Sequence, residues 1–339
     1  MPKRLTAPAV VGTLVSLVSL AAVAWWISKQ DAPQLPDSRS GYAWLVLALA
    51  VIALNFTLRG WRWHLIMRFA GVLHRRRDAL GLTLVGYMGN NVLPARGGEV
   101  LKIGLLGQRT TARRREVLGT VVVERTLDVA VLAVLFAVLT WVGVKGSAGG
   151  PTGAAIAAAG IGAGAVALFV YERLRRAGYF ERFAAVIRPV AGASKLLLQP
   201  RGLALALLSL VIWSLDGLTF MLIARSVGVE LNALDAVGVV VLASLAAAIP
   251  AAPGYVGTFD AAMLVGLRAA GVEGGDAVGV LLLARFLFFV PVTIAGLITL
   301  VAGYGGFHAR RKVSMTWNRS SSRMSASSSA NISDQRSRT

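Results

Sequence analysis

Residues 9 to 27 and 41 to 58 contain no charged side chain. An uncharged apolar run of about 18 or more residues is long enough to cross the hydrocarbon of a bilayer as a helix. Within that hydrocarbon only helices and closed barrels satisfy their own backbone groups. The fold class follows: an all-α polytopic membrane protein. Composition agrees, since charged residues make up 15% of the 339-residue chain, against about a quarter in soluble domains. The first block, after "MPKR", also resembles a signal peptide. Its apolar run exceeds the usual h-region of about 7 to 15 residues, and Trp25 and Trp26 close it as interfacial tryptophans do. It reads as a retained first helix.

Hydropathy divides the chain into six full spans, at about 8–28, 41–60, 118–143, 152–172, 201–224 and 277–303. Two apolar stretches remain, 79–106 and 235–270, each broken in its middle, at Pro94 and at Pro250/Pro253. Each is too long for one span and too broken for two. Both read as re-entrant helical hairpins that enter and leave on the same side. Non-helical backbone at that depth is tolerated only where protein or a wet cavity shields it.

With the N terminus inside, the inner segments (1–7, 59–78, 107–117, 172–201 and 304–339) hold 26 Lys and Arg, and the outer ones hold 5. The remaining four, Arg96, Lys102, Arg125 and Arg285, fall in apolar segments. This asymmetry predicts a cytoplasmic (inner) membrane protein with both termini in the cytoplasm. It also removes nucleic acid as the default partner. The formal charge of +19 is spread along one face, where it attracts anionic lipid headgroups. There is no cysteine, so there is no disulfide, thiolate metal site or Cys nucleophile. His64, His74 and His308 lie in or near basic loops, and no carboxylate cluster has metal-ligand spacing. No cofactor is expected. The stretch from Phe307, with "RSSSRMSASSSANIS", cannot bury a core. Residues 307–339 are therefore expected to be a disordered cytoplasmic tail after a transmembrane domain at 1–306, with the sequons at Asn318 and Asn331 accidental.

The order span, span, hairpin, span occurs twice, at about 8–143 and 152–303. Pro94 and Pro253 stand 159 positions apart, as do Gly98 and Gly257; Arg125 and Arg285 stand 160 apart, and Asn55 and Asp216 161. Three full spans per half is an odd number, so the second half is inverted. Inverted repeats with broken helices are the architecture of many transporters, with substrate near the midplane. A duplicated scaffold without transport has the same pattern.

Glu99, Glu124, Asp128, Asp216 and Asp260 fall inside or at the edge of apolar segments, with Arg125 and Arg285 among them. A charge at the centre of a bilayer helix costs at least ~2.5–3.5 kcal/mol, so each needs a partner, a wet cavity or a ligand. In "VVVERTLDVAV", Arg125 and Asp128 are spaced i,i+3 and can pair within their helix, which would be the alternative to a functional role for Arg125. Arg285 has no acidic residue within a turn; its candidates are Asp260, Asp216 or a ligand phosphate, which a guanidinium binds through two parallel hydrogen bonds. After each Pro/Gly bend (Gly97 and Gly98 in one, Gly254 and Gly257 in the other) a short helix begins, and its N-terminus attracts anions. Glu99 and Asp260 sit in those first turns, where N-terminal capping is the alternative to a functional role. Asp216, with Asp128 and Glu124, is a candidate for proton coupling; a buried hydrogen bond is the alternative.

The segments "NNVLPARGGEVLKIGLL", "VVVERTLDVAVL", "AAIPAAPGYVGTFDAAMLVGLRAAGV" and "ARFLFFVPVTIAGL" resemble the transmembrane domain of the lysylphosphatidylglycerol synthase/flippase family, over residues 10 to 306. The resemblance implies a lipid-translocating domain with two re-entrant segments. Family members are associated with moving aminoacylated phosphatidylglycerol, or with glycolipid, polyprenyl-phosphate and hopanoid pathways. It carries over onto Asn90, Pro94, Arg96, Gly98 and Glu99, onto Glu124, Arg125 and Asp128, onto Pro253, Gly254, Gly257 and Asp260, and onto Arg285. Tyr255 departs from a frequent glycine and Asp260 from a usual glutamate. No soluble aminoacyl-transferase domain follows the last span, so synthesis of lysylphosphatidylglycerol is not expected of this chain.

The expectation is a lipid flippase, not an enzyme, for a phosphate-bearing amphiphile whose headgroup lies between the hairpins near Arg125, Arg285, Glu99, Asp260, Asn90 and Arg96. Two alternatives stand beside it: a membrane-embedded transferase using Glu99 and Asp260, and an accessory subunit that holds a lipid-modifying synthase or glycosyltransferase at the inner face. Oligomeric state is not legible.

Overall fold

The structure, a computed structural model, describes residues 31–93, 96–146, 200–247 and 253–305, with a few positions between 21 and 29. The predicted span at 152–172, most of that at 8–28, Pro94, Pro250 and the tail at 307–339 lie outside the described residues. Within them the chain forms eight α-helices, one 3-10 turn and no strand.

Helix α1 (Arg39–Phe69) starts where Ser38 accepts a hydrogen bond from the Gly41 amide at 3.1 Å, a side-chain N-cap. It runs 31 residues, or about 46 Å, well past the expected end near residue 60. Nothing in "LRGWRWHLIMRF" breaks a helix; the stop comes at Gly71, with φ 72. Arg59 and Arg62, assigned above to an inner loop, therefore lie in a helix and are buried. Two of the 26 inner basic residues move to the interior, and the asymmetry survives.

Helices α2 (Arg76–Val92) and α3 (Gly97–Leu106) follow. Gly89 faces Gly98 and Gly86 faces Lys102, so the two lie antiparallel on either side of the bend. α4 (Arg114–Gly146) is 33 residues long. After α5 (Pro200–Ser226) comes α6 (Ala233–Ala246), capped by the Asn232 side chain on the Asp235 amide at 2.9 Å. A 3-10 turn at Pro253–Tyr255 leads into α7 (Thr258–Ala269), and Gly266 of α7 packs on Val239 and Leu242 of α6. The last helix, α8 (Gly274–Tyr304), contains Pro291 and ends on the left-handed Gly305, φ 68.

α1 and α5 are antiparallel neighbours: Gly41 lies against Ser226, Asn55 against Ile212 and Arg62 against Ser209. α8 runs antiparallel to α2, with Gly296 on Leu84 and Met88, and Gly81 on Thr299. α1, α5 and α8 are long and apolar enough to cross a membrane. The larger apolar core joins α1, α4, α5, α6, α7 and α8; a second, around Trp63, Leu82 and Leu106, joins α1, α2, α3, α4 and α8.

The α2–α3 contact depends on the missing side chain at Gly98. A Cβ there would overlap the Gly86 carbonyl oxygen and stand 2.6 Å from the Asn90 amide. Both are backbone atoms, so neither rotates away. Gly98→Ala is expected to destabilise the detergent-solubilised protein by about 1–3 kcal/mol, the usual effect of overpacking. Gly104→Ala, in the same helix and facing open space, should stabilise it by about 0.5–1 kcal/mol. Thermal unfolding distinguishes them; equal shifts would contradict the close contact.

Candidate functional site

Asn55, Arg59 and Arg62 recur at i, i+4 and i+7 along α1, so one face of an apolar helix carries an amide and two guanidiniums. That face meets α5. The Arg59 Nη2 lies 2.5 Å from Asp216 Oδ2, its Nε donates to Asn55 Oδ1 at 2.7 Å, and its Nη1 donates to the Tyr87 hydroxyl at 2.9 Å. The Asn55 amide in turn donates to Asp216 at 3.1 Å and to the Ile212 carbonyl at 2.7 Å. The Trp213 ring lies 5.0 Å from the Arg59 guanidinium carbon, within cation–π range. Asp216 is thereby held by two donors from α1.

One turn on, Arg62 donates to Asp128 of α4 and to Ser209 of α5, both at 2.7 Å, and is wholly buried. Lys102 of α3 donates to Glu124 at 2.8 Å and lies 3.8 Å from the centre of the Trp63 ring. Arg125 stands 3.3 Å from Asp128, 3.5 Å from Glu99 and 3.6 Å from Glu124. The expected i,i+3 pair is present, but Arg125 also reaches across to α3. Five elements thus meet in a network of two neighbouring ion-pair clusters: Arg59 with Asp216 joins α1 to α5, and to α2 through Tyr87, while Arg62, Lys102 and Arg125 with Asp128, Glu124 and Glu99 join α1, α3 and α4.

The network borders a cavity of about 250 Å³ between the two helix bends. Its polar wall includes Arg59, Arg96, Arg125, Asp128, Asp216, Asn90, Asn91 and Ser244. Its aromatic wall is Phe56, Tyr87, Trp213, Phe220, Tyr255, Phe259, Phe288 and Phe289. A concave space with largely apolar walls and a few converging polar groups is the usual form of a ligand site.

The bends form the remaining boundary. Arg96 is the N-cap of α3 in the left-handed region, φ 55 and ψ 38. Its Nη2 donates to the Ala247 carbonyl at 2.7 Å, and its guanidinium lies 5.7 Å from the Tyr255 ring centre. Arg96 of the first bend is therefore tied to both sides of the second. Tyr255 is itself left-handed, φ 55, a conformation that costs a non-glycine residue about 1–2 kcal/mol. That is the position where the resemblance leads one to expect glycine. Asp260 accepts from the Gly257 amide at 2.8 Å, so it caps α7, and it also takes the Arg285 Nε. Arg285 donates further to the carbonyls of Gly254 and Tyr255, with Phe259 and Phe289 at 4.8 and 4.5 Å.

The sequence-predicted residues thus separate into groups. Asn90, Arg96, Arg125, Asp128 and Asp216 line the cavity. Glu99 reaches it through Arg125, and Glu124 lies deeper, under Lys102. Arg285 and Asp260 lie outside the lining residues and fix the second bend with Pro253, Gly254 and Gly257. Gly97 and Gly98 open α3. Sequence reasoning passed over Arg59, Arg62 and the role of Lys102; the i, i+4, i+7 recurrence of polar residues in α1 was the available signal.

Residues 9–296 match the family described as the lysylphosphatidylglycerol synthase TM region. Among curated relatives, a protein named glycosyltransferase AglD from Haloferax volcanii is 26% identical over 77% of this chain and 48% of its own length. A UPF0104 membrane protein from Methanothermobacter thermautotrophicus is 25% identical over 84% of this chain and 92% of its own. The match therefore spans about half of the Haloferax protein and nearly all of the Methanothermobacter one. No solved structure matches.

Removing one member of a buried ion pair leaves the other uncompensated. Arg59→Met is expected to destabilise the protein by about 3–5 kcal/mol, and adding Asp216→Asn to recover more than half of that. A double-mutant cycle on thermal stability measures the coupling; additive effects would show that the pair is not coupled.

Proposed function

The chain belongs to the lysylphosphatidylglycerol synthase transmembrane-region family of membrane proteins, and on that premise we propose that it is a lipid flippase for a phosphate-bearing amphiphile. One observation carries the reading: the cavity between the two bends brings three guanidiniums, Arg59, Arg96 and Arg125, and two aspartates, Asp128 and Asp216, to a wall otherwise rich in aromatic rings. Arginine binds phosphate oxygens in pairs, and the aromatic wall suits the lipid's apolar part.

An inverted repeat is part of this proposal. The last residues of α1 and α5, Phe69 and Ser226, stand 157 positions apart, as do the first residues of α2 and α6, Arg76 and Ala233. Gly60 packs on Leu80 and Gly217 on Val237 at that same offset. Past the bends the offset is 161 for the N-caps Arg96 and Gly257, and 160 for the starts of α4 and α8. Glu99 with Arg125 and Asp260 with Arg285 are then corresponding ion pairs. This register sets Asp216 opposite Arg59, one helical turn from Asn55. Neighbours correspond too: α2 with α8 and α4 with α6. Movement of one half against the other would expose the cavity alternately.

The hairpins are proposed to be re-entrant, the first from the cytoplasmic side. α3, α6 and α7 have 10, 14 and 12 residues, or about 15 to 21 Å, short of a bilayer core of about 30 Å. The domain limits at 1–306, the inner-membrane location and both termini in the cytoplasm belong to the same proposal. The chain has no cysteine, so single cysteines report sidedness directly. Cysteines at Leu73 and Gln108 should both react with a membrane-impermeant maleimide from the cytoplasmic side, and cysteines at Leu234 and Gly271 from the other. Labelling of Leu73 and Gln108 from opposite faces would exclude a re-entrant first hairpin.

A second reading has one observation of its own, the glycosyltransferase name of the Haloferax relative: a role in lipid-linked glycan synthesis, as transferase or accessory subunit. Purified protein in liposomes separates the three. Acceleration of fluorescent phospholipid exchange between leaflets, lost in Arg125→Ala, is the expected result. Covalent change in a supplied lipid would favour the transferase, and no activity without a second protein the accessory role.

A further inference from the structure

We infer that the cavity selects headgroups carrying one net negative charge and that Arg96 sets this selection. The inference rests on the flippase reading for its ligand class and says which headgroups the same site accepts.

The ion-pair network and the cavity wall beside it together hold five cations, Arg59, Arg62, Arg96, Lys102 and Arg125, and four carboxylates, Glu99, Glu124, Asp128 and Asp216. Four of the cations have a carboxylate close by: Arg59 with Asp216 at 2.5 Å, Arg62 with Asp128 at 2.7 Å, Lys102 with Glu124 at 2.8 Å, and Arg125 with Asp128 at 3.3 Å. Arg285 and Asp260 neutralise one another. Arg96 has no acidic partner among the described residues; its hydrogen bond goes to the neutral Ala247 carbonyl. The site therefore holds one positive charge in excess, at Arg96 on the cavity wall.

An unbalanced charge is expensive in a low-dielectric interior, and an anion of equal magnitude relieves it. A phosphodiester with an uncharged, hydroxyl-bearing substituent supplies one negative charge. A zwitterionic headgroup supplies none. A lysylated headgroup, with two ammonium groups on one phosphate, adds a net positive charge to a site already positive. The site thus disfavours the lipid for which its family is called. Arg96 is also placed to bind: a guanidinium has five N–H donors, the Tyr255 ring lies beneath it at 5.7 Å, and the N-terminus of α3, which Arg96 caps, adds partial positive charge in the same sense.

The test is equilibrium retention, which does not depend on transport. Protein in phosphatidylcholine nanodiscs is offered equal amounts of phosphatidylglycerol, phosphatidylethanolamine and lysylphosphatidylglycerol, and retained lipid is read by native mass spectrometry. Phosphatidylglycerol is expected to be retained about tenfold over either competitor, roughly 1.4 kcal/mol. Arg96→Gln should abolish the preference, and Arg96→Lys, which keeps the charge, should preserve it. If Arg96→Gln does not fold, Asn90→Asp cancels the same excess charge from another point on the wall and should have the same effect. Equal retention by the wild type, preference for the lysylated lipid, or an unchanged preference in the charge-cancelling variant would overturn the inference. Charge selection without leaflet exchange would instead remove the flippase reading and leave the inference standing; exchange without selection would do the reverse.

Discussion

The architecture depends on the requirement that a charge taken out of water meet an opposite one. Arg59 and Arg62, on one face of α1, meet Asp216 on α5 and Asp128 on α4. Hydrophobic packing alone gives helices in a bilayer little reason to prefer one neighbour, because lipid is as apolar as leucine. Buried ion pairs supply that preference: rotation of α1 about its axis would strand two guanidiniums in hydrocarbon. Lys102 with Glu124 and Arg125 with Glu99 extend the same logic to α3. These pairs are worth less as net stabilisation than as a constraint on which helices lie together.

Glycine plays the complementary part where backbones approach closely. At Gly98 the second arm of the first bend comes so near the first that no side chain fits. The bend itself is held from outside, by the Arg96 hydrogen bond to Ala247 and its stacking on Tyr255. The second bend is held from within its own half, by Arg285 on Asp260, Gly254 and Tyr255. Arg285 is thus a strut with each of its three side-chain nitrogens bonded to the protein, while Arg96 faces the cavity with one donor engaged by a carbonyl. Of two arginines that look alike in the sequence, one is committed to holding the fold and the other borders the space a ligand would fill.

Much of the helical layout was legible in the sequence, because long apolar runs and Pro/Gly breaks are local signals. The ends of α4, α5 and α8 lie within a few residues of the expected spans. α1 is the exception. Arg59 and Arg62 look like the start of a basic loop, and it is the partners Asp216 and Asp128, distant in the chain, that explain why they are buried. The site divides the same way. The i,i+3 spacing pairs Arg125 with Asp128, and the two stand 3.3 Å apart. Among the partners the sequence leaves open for Arg285, the structure supplies Asp260, which also caps its helix. Contacts such as Glu99 with Arg125, or Arg96 with Ala247, depend on how separate helices lie against one another, and no local pattern encodes that.

On the repeat reading, Arg96 and Gly257 occupy corresponding N-caps, one charged and one bare, and the offset between the halves grows from 157 to 161 across the bends. A machine of two equal halves would behave identically when approached from either leaflet. If the halves moved as proposed, this one would have a polarity: the excess cation would travel with a single half. The two access states would then differ in energy, and in how they respond to a membrane voltage, as a rectifier does.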